Sequence, residues 1–95
     1  MDDESEWNED KAASNFLKHG VDFEEADSVL DDPQVLTFDD VDHSLEEERY
    51  IAIGFSSQNR LLYVVYTLRD GAKRIISART ATPRERKAYE HNYRN

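Results

Sequence analysis

Arginine is the residue type in this chain whose chemistry points most directly to a function. Arg49 and Arg79 lie at the start and the end of two predicted strands, and Glu48 immediately precedes Arg49. A guanidinium binds phosphate oxygens in pairs and stays protonated, so it suits a phosphate whose negative charge grows in a transition state. A carboxylate or an imidazole beside it can move the protons of phosphodiester chemistry, and His43 lies five residues before Glu48. A surface Glu–Arg ion pair would explain the same residues without any function.

Other chemistries find little support in the composition. The chain has no cysteine and three glycines. Disulfides, thiolate catalysis and zinc–cysteine sites are therefore excluded, and no glycine-rich nucleotide loop can be written. The three histidines follow no metal-binding spacing, and the aspartates at 39, 40 and 42 lack the glycine and glutamate of a calcium loop. We therefore predict neither a metal site nor a cofactor.

Charge is divided unequally between the two halves of the chain. Residues 1–48 carry a formal charge of −16 and residues 49–95 carry +7, within a total of −9. The second half suits a polyanion, and the first half suits a basic protein. Tyr63, Tyr66, Tyr89 and Tyr93 lie among the basic residues, where they could stack on RNA bases. Two alternatives stay open: the halves neutralise each other, and the tyrosines pack beneath helices.

Local signals place helices at both ends of the chain. Asn8 and Gly20 are typical of the first and last caps of a helix over 9–19, which carries Lys18 and His19 in its last turn. Asp22 predicts the cap of a second helix, which the sequence 31–33 ends. A capping box at Thr82 and Glu85 predicts a closing helix over about 83–93.

Four predicted strands lie between these helices, at 35–38, 49–55, 61–67 and 73–79. Asp70-Gly71 is a strong hairpin signal, so the last two strands should pair antiparallel. The fold class is therefore α+β, with two N-terminal helices, a four-stranded and mainly antiparallel sheet, and a C-terminal helix. In a regular meander Arg49 and Arg79 fall at opposite ends of the sheet, and Arg49 shares a face with apolar residues.

One small domain is expected from a length of 95 residues. We predict a disordered acidic leader over 1–6 and a single domain over 7–95. The start of the chain is acidic and has no apolar run behind it, and the longest apolar run has six residues. These features predict a soluble, cytoplasmic protein with no secretory signal and no membrane span.

Four blocks of sequence, taken in order and spacing, resemble the BrnT family, the toxin half of a bacterial type II toxin–antitoxin system. The first block is Trp7-Asn8-Glu9-Asp10-Lys11, Asn15, Lys18-His19-Gly20-Val21 and Phe23-Glu24-Glu25-Ala26, and the second is Asp31-Asp32-Pro33. The third is His43-Ser44, Glu47-Glu48-Arg49-Tyr50 and Ile53-Gly54, and the fourth is residues 61–67, Arg74-Ile75-Ile76-Ser77-Ala78-Arg79, Ala81, Glu85-Arg86 and Tyr89. The resemblance covers about residues 7–90.

This resemblance implies a RelE-like fold and the activity of a metal-independent endoribonuclease that arrests translation. It also implies a BrnA-like antitoxin, whose ribbon–helix–helix part binds operator DNA. Positions matched to the family imply catalytic roles for Arg79, Arg49, Glu48 and His19. They imply RNA contacts for Lys11, Lys18, Arg74, Glu85 and Tyr89.

Two functions stay open on the sequence. In the first, the chain is a ribonuclease: a ribose 2′-hydroxyl attacks the adjacent phosphate, Glu48 or His19 moves protons, and Arg49 and Arg79 stabilise the phosphorane. In the second, the chain is an inactive toxin-like subunit that acts as co-repressor with its antitoxin. The acidic leader and the acidic stretch 39–48 are unusual for an RNA-cutting protein and suit a basic antitoxin.

Overall fold

A computed structural model describes residues 5–41 and 48–94, with residues 93 and 94 described by their backbone alone. Within these residues the helices are α1 (Glu9–His19), α2 (Phe23–Ser28), followed by a 3₁₀ turn (Val29–Asp31), and α3 (Pro83–Arg94). The strands are β1 (Ser5–Glu6), β2 (Leu36–Asp39), β3 (Arg49–Phe55), β4 (Leu61–Arg69) and β5 (Ala72–Thr80). The predicted bounds of α1 and β3 are confirmed to the residue.

The strands of the described chain form one mixed sheet in the order β1-β5-β4-β3-β2. Strands β2 to β5 are antiparallel neighbours, as predicted. The prediction of four strands is wrong, because Ser5 and Glu6 pair in parallel with Lys73 and Arg74 of β5. These two residues belong to the predicted disordered leader. They form a strand because the open edge of β5 offers unpaired backbone groups next to them.

The second predicted helix is shorter than its apolar spacing suggested. After Ser28 the chain tightens into the 3₁₀ turn, which ends as predicted at the sequence 31–33. Strand β2 begins and ends one residue later than predicted. Strand β4 continues two residues beyond its predicted end, and β5 is one residue longer at each end. The turn between them has positive φ angles at Asp70 (54°) and Gly71 (82°), as a two-residue hairpin turn requires.

Alternation along the strands divides the core into two layers. One layer packs α1 and α2 on the sheet, with Phe23, Val29, Leu62 and Val64 almost fully buried. The other layer lies on the opposite face, where Tyr89 of α3 joins buried residues of β3 and β4. Burial of each large apolar side chain contributes roughly 1.5–3 kcal/mol. In the described part of the chain, no helix is long and apolar enough to cross a membrane.

Candidate active site

A cavity of about 210 Å³ opens between α1 and the edge of β5. Helix α1 presents Lys11, Lys18 and His19 to this cavity, because positions three, four and seven apart share a helix face. Asn8 accepts a hydrogen bond from the Lys11 N–H (3.0 Å), and Gly20 at φ 71° ends the helix immediately after His19. The caps therefore fix both ends of a basic stripe. The cavity is lined by Lys11, Ser14, Asn15, Lys18, His19, Ile76 and Ser77.

Asn15 fastens α1 to the sheet at the base of this cavity. Its amide nitrogen donates to the carbonyls of Ala78 (2.9 Å) and Val21 (3.0 Å), and its oxygen accepts from the Ala78 N–H (3.2 Å). Strand β1 pairs with Lys73 and Arg74 of β5. Further along β5, the Asn15 amide makes the backbone hydrogen bonds of Ala78 that a neighbouring strand would otherwise make. A side-chain amide can do so because it both donates and accepts. The sequence analysis gave Asn15 no role, although a polar residue on an apolar helix stripe was a usable signal.

The strand side of the cavity contains a β-bulge. Val65 pairs with Ser77 and Tyr66 pairs with Ile75, so Ile76 is an extra residue on β5. Bulges bend a strand and change the direction of its side chains, and they occur often beside active sites. Regular pairing resumes after Ser77, which places Ser77 and Arg79 on the same face of the sheet. Arg79 thus lies two residues beyond Ser77, which lines the cavity, on the face of the sheet that α3 covers.

Arg79 is held by a carboxylate and an aromatic ring. Its two terminal nitrogens donate to the two carboxylate oxygens of Glu85, each at 2.8 Å, and one also donates to the Thr80 carbonyl (3.2 Å). The guanidinium carbon lies 4.0 Å from the centre of the Tyr63 ring. The cross-strand pairing of Tyr63 with Arg79 creates this stack. The sequence analysis considered Tyr63 only as one of several tyrosines.

Glu85 both caps the start of α3 and binds Arg79. The predicted capping box is confirmed: Glu85 accepts from the Thr82 N–H (2.9 Å), and the Thr82 hydroxyl accepts from the Glu85 N–H (3.2 Å). Burial raises the pKa of Glu85, but hydrogen bonds from Arg79 and from the Thr82 N–H outweigh it, so the pKa lies below its usual value. The carboxylate is therefore charged at neutral pH and holds the guanidinium by a charge-assisted fork.

Glu48 and Arg49 lie elsewhere, in a separate cleft of about 220 Å³ that shares no lining residue with the first cavity. The Tyr50 hydroxyl donates to Glu48 (2.7 Å), and the Thr67 hydroxyl donates to the Glu48 carbonyl. Arg49 pairs with Thr67, whereas Arg79 pairs with Tyr63, four residues away along β4. That separation is about 13 Å at 3.3 Å per residue. The opposite-end geometry predicted for the two arginines is confirmed, and no single phosphate bridges their backbone positions.

The remaining predicted contacts have different surroundings. Tyr89 is buried, and its hydroxyl donates to Asp32 (2.7 Å), so its ring lies in the core of this structure and the RNA contact stays a prediction. The ring is buried because it supplies the core contact of α3. Arg74 lies 3.3 Å from Glu6 in a partly exposed ion pair. His43 lies outside the described residues. In the ranges 5–41 and 48–94, no three acidic or histidine side chains are grouped to hold a metal ion.

Comparison with known proteins decides the family. The sequence model described as "Ribonuclease toxin, BrnT, of type II toxin-antitoxin system" matches residues 7–85. The chain belongs to the BrnT toxin family. A solved structure of the ribonuclease toxin BrnT from Brucella abortus is similar, with a TM-score of 0.65 and 25% sequence identity. The match covers 84% of this chain and 97% of the Brucella toxin. No curated protein sequence matches the chain.

Membership of the BrnT family implies a partner, and the matched residues include the parts of the candidate site. BrnT toxins belong to type II toxin–antitoxin systems, so an antitoxin partner is implied for this chain. The BrnT match starts at Trp7 and ends at Glu85, and it therefore includes the whole basic stripe of α1, the bulged strand and the Arg79–Glu85 pair. Strand β1 and most of α3 lie outside the matched residues.

Proposed function

We propose that this chain is a metal-independent endoribonuclease whose active site is the α1–β5 cavity together with Arg79. One observation carries the proposal: two lysines and a histidine of one helix line a cavity beside the strand that bears Arg79. An imidazole can both accept and donate a proton near neutral pH, and lysines and arginines bind phosphates. RNA is the fitting substrate class, because its 2′-hydroxyl supplies the nucleophile.

The proposed reaction uses side chains of this protein and water. His19 accepts the proton of a ribose 2′-hydroxyl, whose oxygen attacks the adjacent phosphorus while the bond to the 5′-oxygen breaks. The leaving oxygen takes up a proton from water, and the products carry a 2′,3′-cyclic phosphate and a 5′-hydroxyl. Lys11 and Lys18 hold neighbouring phosphates, and Arg79 stabilises the charge that develops on the phosphorane oxygens. Glu48 and Arg49 have no part in this arrangement.

A second candidate function is that of an inactive co-repressor subunit, and one specific contact favours it. Both terminal nitrogens of Arg79 are engaged by Glu85, which competes with any phosphate for the same fork. The isolated chain would then bind its antitoxin without cutting RNA. The two functions differ in a single measurable property, the cleavage of RNA by the purified chain.

The deciding experiment is incubation of the purified chain with RNA at neutral pH in EDTA. Cleavage that leaves cyclic phosphate ends is expected although EDTA removes metal ions, because the proposed steps use side chains and water. His19→Gln should abolish most of the activity, and His91→Gln, which changes an exposed histidine on α3, is the matched control. Intact RNA with the wild-type chain would reject the ribonuclease and favour the co-repressor.

The antitoxin is proposed to be a BrnA-like protein with a basic surface, encountered in the cytoplasm. Acidic side chains at Glu9, Asp10 and Glu24 are exposed on the first two helices, beside the exposed apolar residues Phe16 and Leu17. Opposite charge accelerates the encounter of two proteins, and salt screens it. Association should therefore slow as salt rises, which stopped-flow mixing measures. A rate that is independent of salt would contradict steering by charge.

A further inference from the structure

Asp32, just after the 3₁₀ turn, accepts hydrogen bonds from three separate parts of the chain. One of its oxygens accepts from the Phe55 N–H (2.8 Å) and from the Tyr89 hydroxyl (2.7 Å), and the other accepts from the Gln34 N–H (2.9 Å). Burial raises its pKa, but these hydrogen bonds lower it further than burial raises it. Asp32 thus connects the helical layer, the end of β3 and α3 through one charged group.

The end of β3 is shaped to admit this carboxylate. A Cβ atom on Gly54 would lie 3.0 Å from Asp32 Oδ2 and 3.2 Å from a methyl group of Val29. Those distances are closer than ordinary side-chain contacts, so a larger residue at position 54 would push Asp32 aside. Glycine at this position therefore keeps the carboxylate within reach of α3.

Helix α3 depends unusually strongly on Tyr89. Of its side chains described over 83–92, only Tyr89 is buried and only Glu85 is half-buried, while the others are exposed. The Tyr89 ring meets Phe55 edge-on at 5.6 Å, and its hydroxyl reaches Asp32. Tyr89 follows Glu85 by four residues, so the two lie on the same face of the helix, one turn apart. Fixing the hydroxyl of Tyr89 therefore fixes the rotation of the helix that aims Glu85.

We propose that the Asp32–Tyr89 hydrogen bond is a positioning contact for Arg79: it orients α3 so that Glu85 grips the guanidinium. This inference rests on the proposed function for its effect on catalysis. Hydrogen bonds to a charged acceptor are about twice as strong as neutral ones and have a defined direction. Apolar packing of one ring on Phe55 allows the helix to roll, whereas the bond to Asp32 does not.

The test is a double-mutant cycle of Tyr89→Phe and Glu85→Gln, read by steady-state kinetics of RNA cleavage. Each single variant should lower kcat by about 10- to 10²-fold with KM unchanged, because a small misplacement of a catalytic group has an effect of that size. Tyr89→Phe should have no further effect in the Glu85→Gln background, since it acts through Glu85. Independent effects in the two backgrounds would overturn the proposal.

A stability control and a second readout separate positioning from mere loss of structure. Val64→Ala opens a cavity in the opposite layer of the core, and it should lower the Tm without lowering kcat. In NMR spectra the Arg79 side-chain Nε–H resonance should move in Tyr89→Phe toward its value in Glu85→Gln. If the wild-type chain does not cleave RNA, the proposed function fails. The Arg79 resonance alone then decides whether the Asp32–Tyr89 bond positions Arg79. An unmoved resonance would overturn the positioning role.

Discussion

Two forked Glu–Arg pairs lie in the part of the chain that the structure describes, and their surroundings differ. In the first, Glu25 of α2 binds Arg60 in the turn between β3 and β4, and the Glu25 side chain is 1% exposed. The Ser56 hydroxyl donates to Glu25 (2.6 Å), and Arg60 also donates to the Gly20 carbonyl (3.0 Å). In the second, Glu85 binds Arg79, and the Glu85 side chain is 20% exposed. Tyr63 supports Arg79 from one side.

The neighbours of each ion pair, and not the pair itself, are our basis for distinguishing a structural role from the proposed catalytic one. Every partner of Glu25–Arg60 joins elements of the fold: the end of α1, the start of α2 and the β3–β4 turn. Arg79 instead lies on β5 two residues beyond Ser77, which lines the basic cavity. We therefore expect the first pair to stabilise the fold and the second to serve the proposed active site.

The largest expected effect is on catalysis, from Arg79→Ala. The RNA cleavage rate should fall by about 10²–10³-fold, because the variant removes an oriented contact to the phosphorane. Circular dichroism should show an intact fold, since only half-buried contacts are lost. Arg69→Ala, at the exposed end of β4, is the matched control. Wild-type cleavage by Arg79→Ala would show that this pair has no catalytic role, and unfolding would show that it is structural.

The next effect is on stability, from Arg60→Met. Removal of one partner of a buried pair leaves a buried charge and typically costs about 3–5 kcal/mol. Because the Arg60 side chain is 37% exposed and water can reach the site, we expect about 2 kcal/mol. Urea unfolding measures this change, and RNA cleavage well below the transition should stay at the wild-type rate. A loss of cleavage without a loss of stability would reverse the roles of the two pairs.

The smallest effect is a difference in the pH dependence of stability. A hydrogen bond from Arg60, opposed by burial, holds the pKa of Glu25 below its usual value of 4.5. Because the folded pKa lies below the unfolded one, this stabilisation is present above about pH 4.5 and is lost as the pH falls further. Glu25→Gln should therefore flatten the fall in unfolding free energy toward acid more than Glu85→Gln does. Parallel curves for the two variants would contradict the difference in burial.

Local signals predicted much of the fold, because caps and turns are read from adjacent residues. Asn8 and Gly20 placed both ends of α1 correctly, and Asp70-Gly71 placed the β4–β5 hairpin. Strand β1 could not be predicted in this way. Two residues carry no periodicity, and their partners Lys73 and Arg74 are 68 residues away in the chain.

The candidate site was predicted only in part, for a similar reason. Lys11, Lys18 and His19 share a face of one helix, so their proximity follows from helical spacing. The fork between Arg79 and Glu85 is also local. Whether Tyr89 faces RNA or the core depends on where α3 docks, which its own sequence does not specify. The pairing of Glu25 with Arg60, 35 residues apart, likewise depends on the completed sheet.

Titration of isotope-labelled protein with a 2′-O-methylated RNA tests the proposed site most directly. This RNA cannot be cleaved, because its 2′-oxygen carries no proton to remove. Saturable shifts of NMR resonances are expected at the α1–β5 cavity and at the Arg79 side chain, with the Arg60 side chain unchanged. Shifts centred on the cleft of Glu48 and Arg49, or at Arg60 and not at Arg79, would contradict the assignment of the active site.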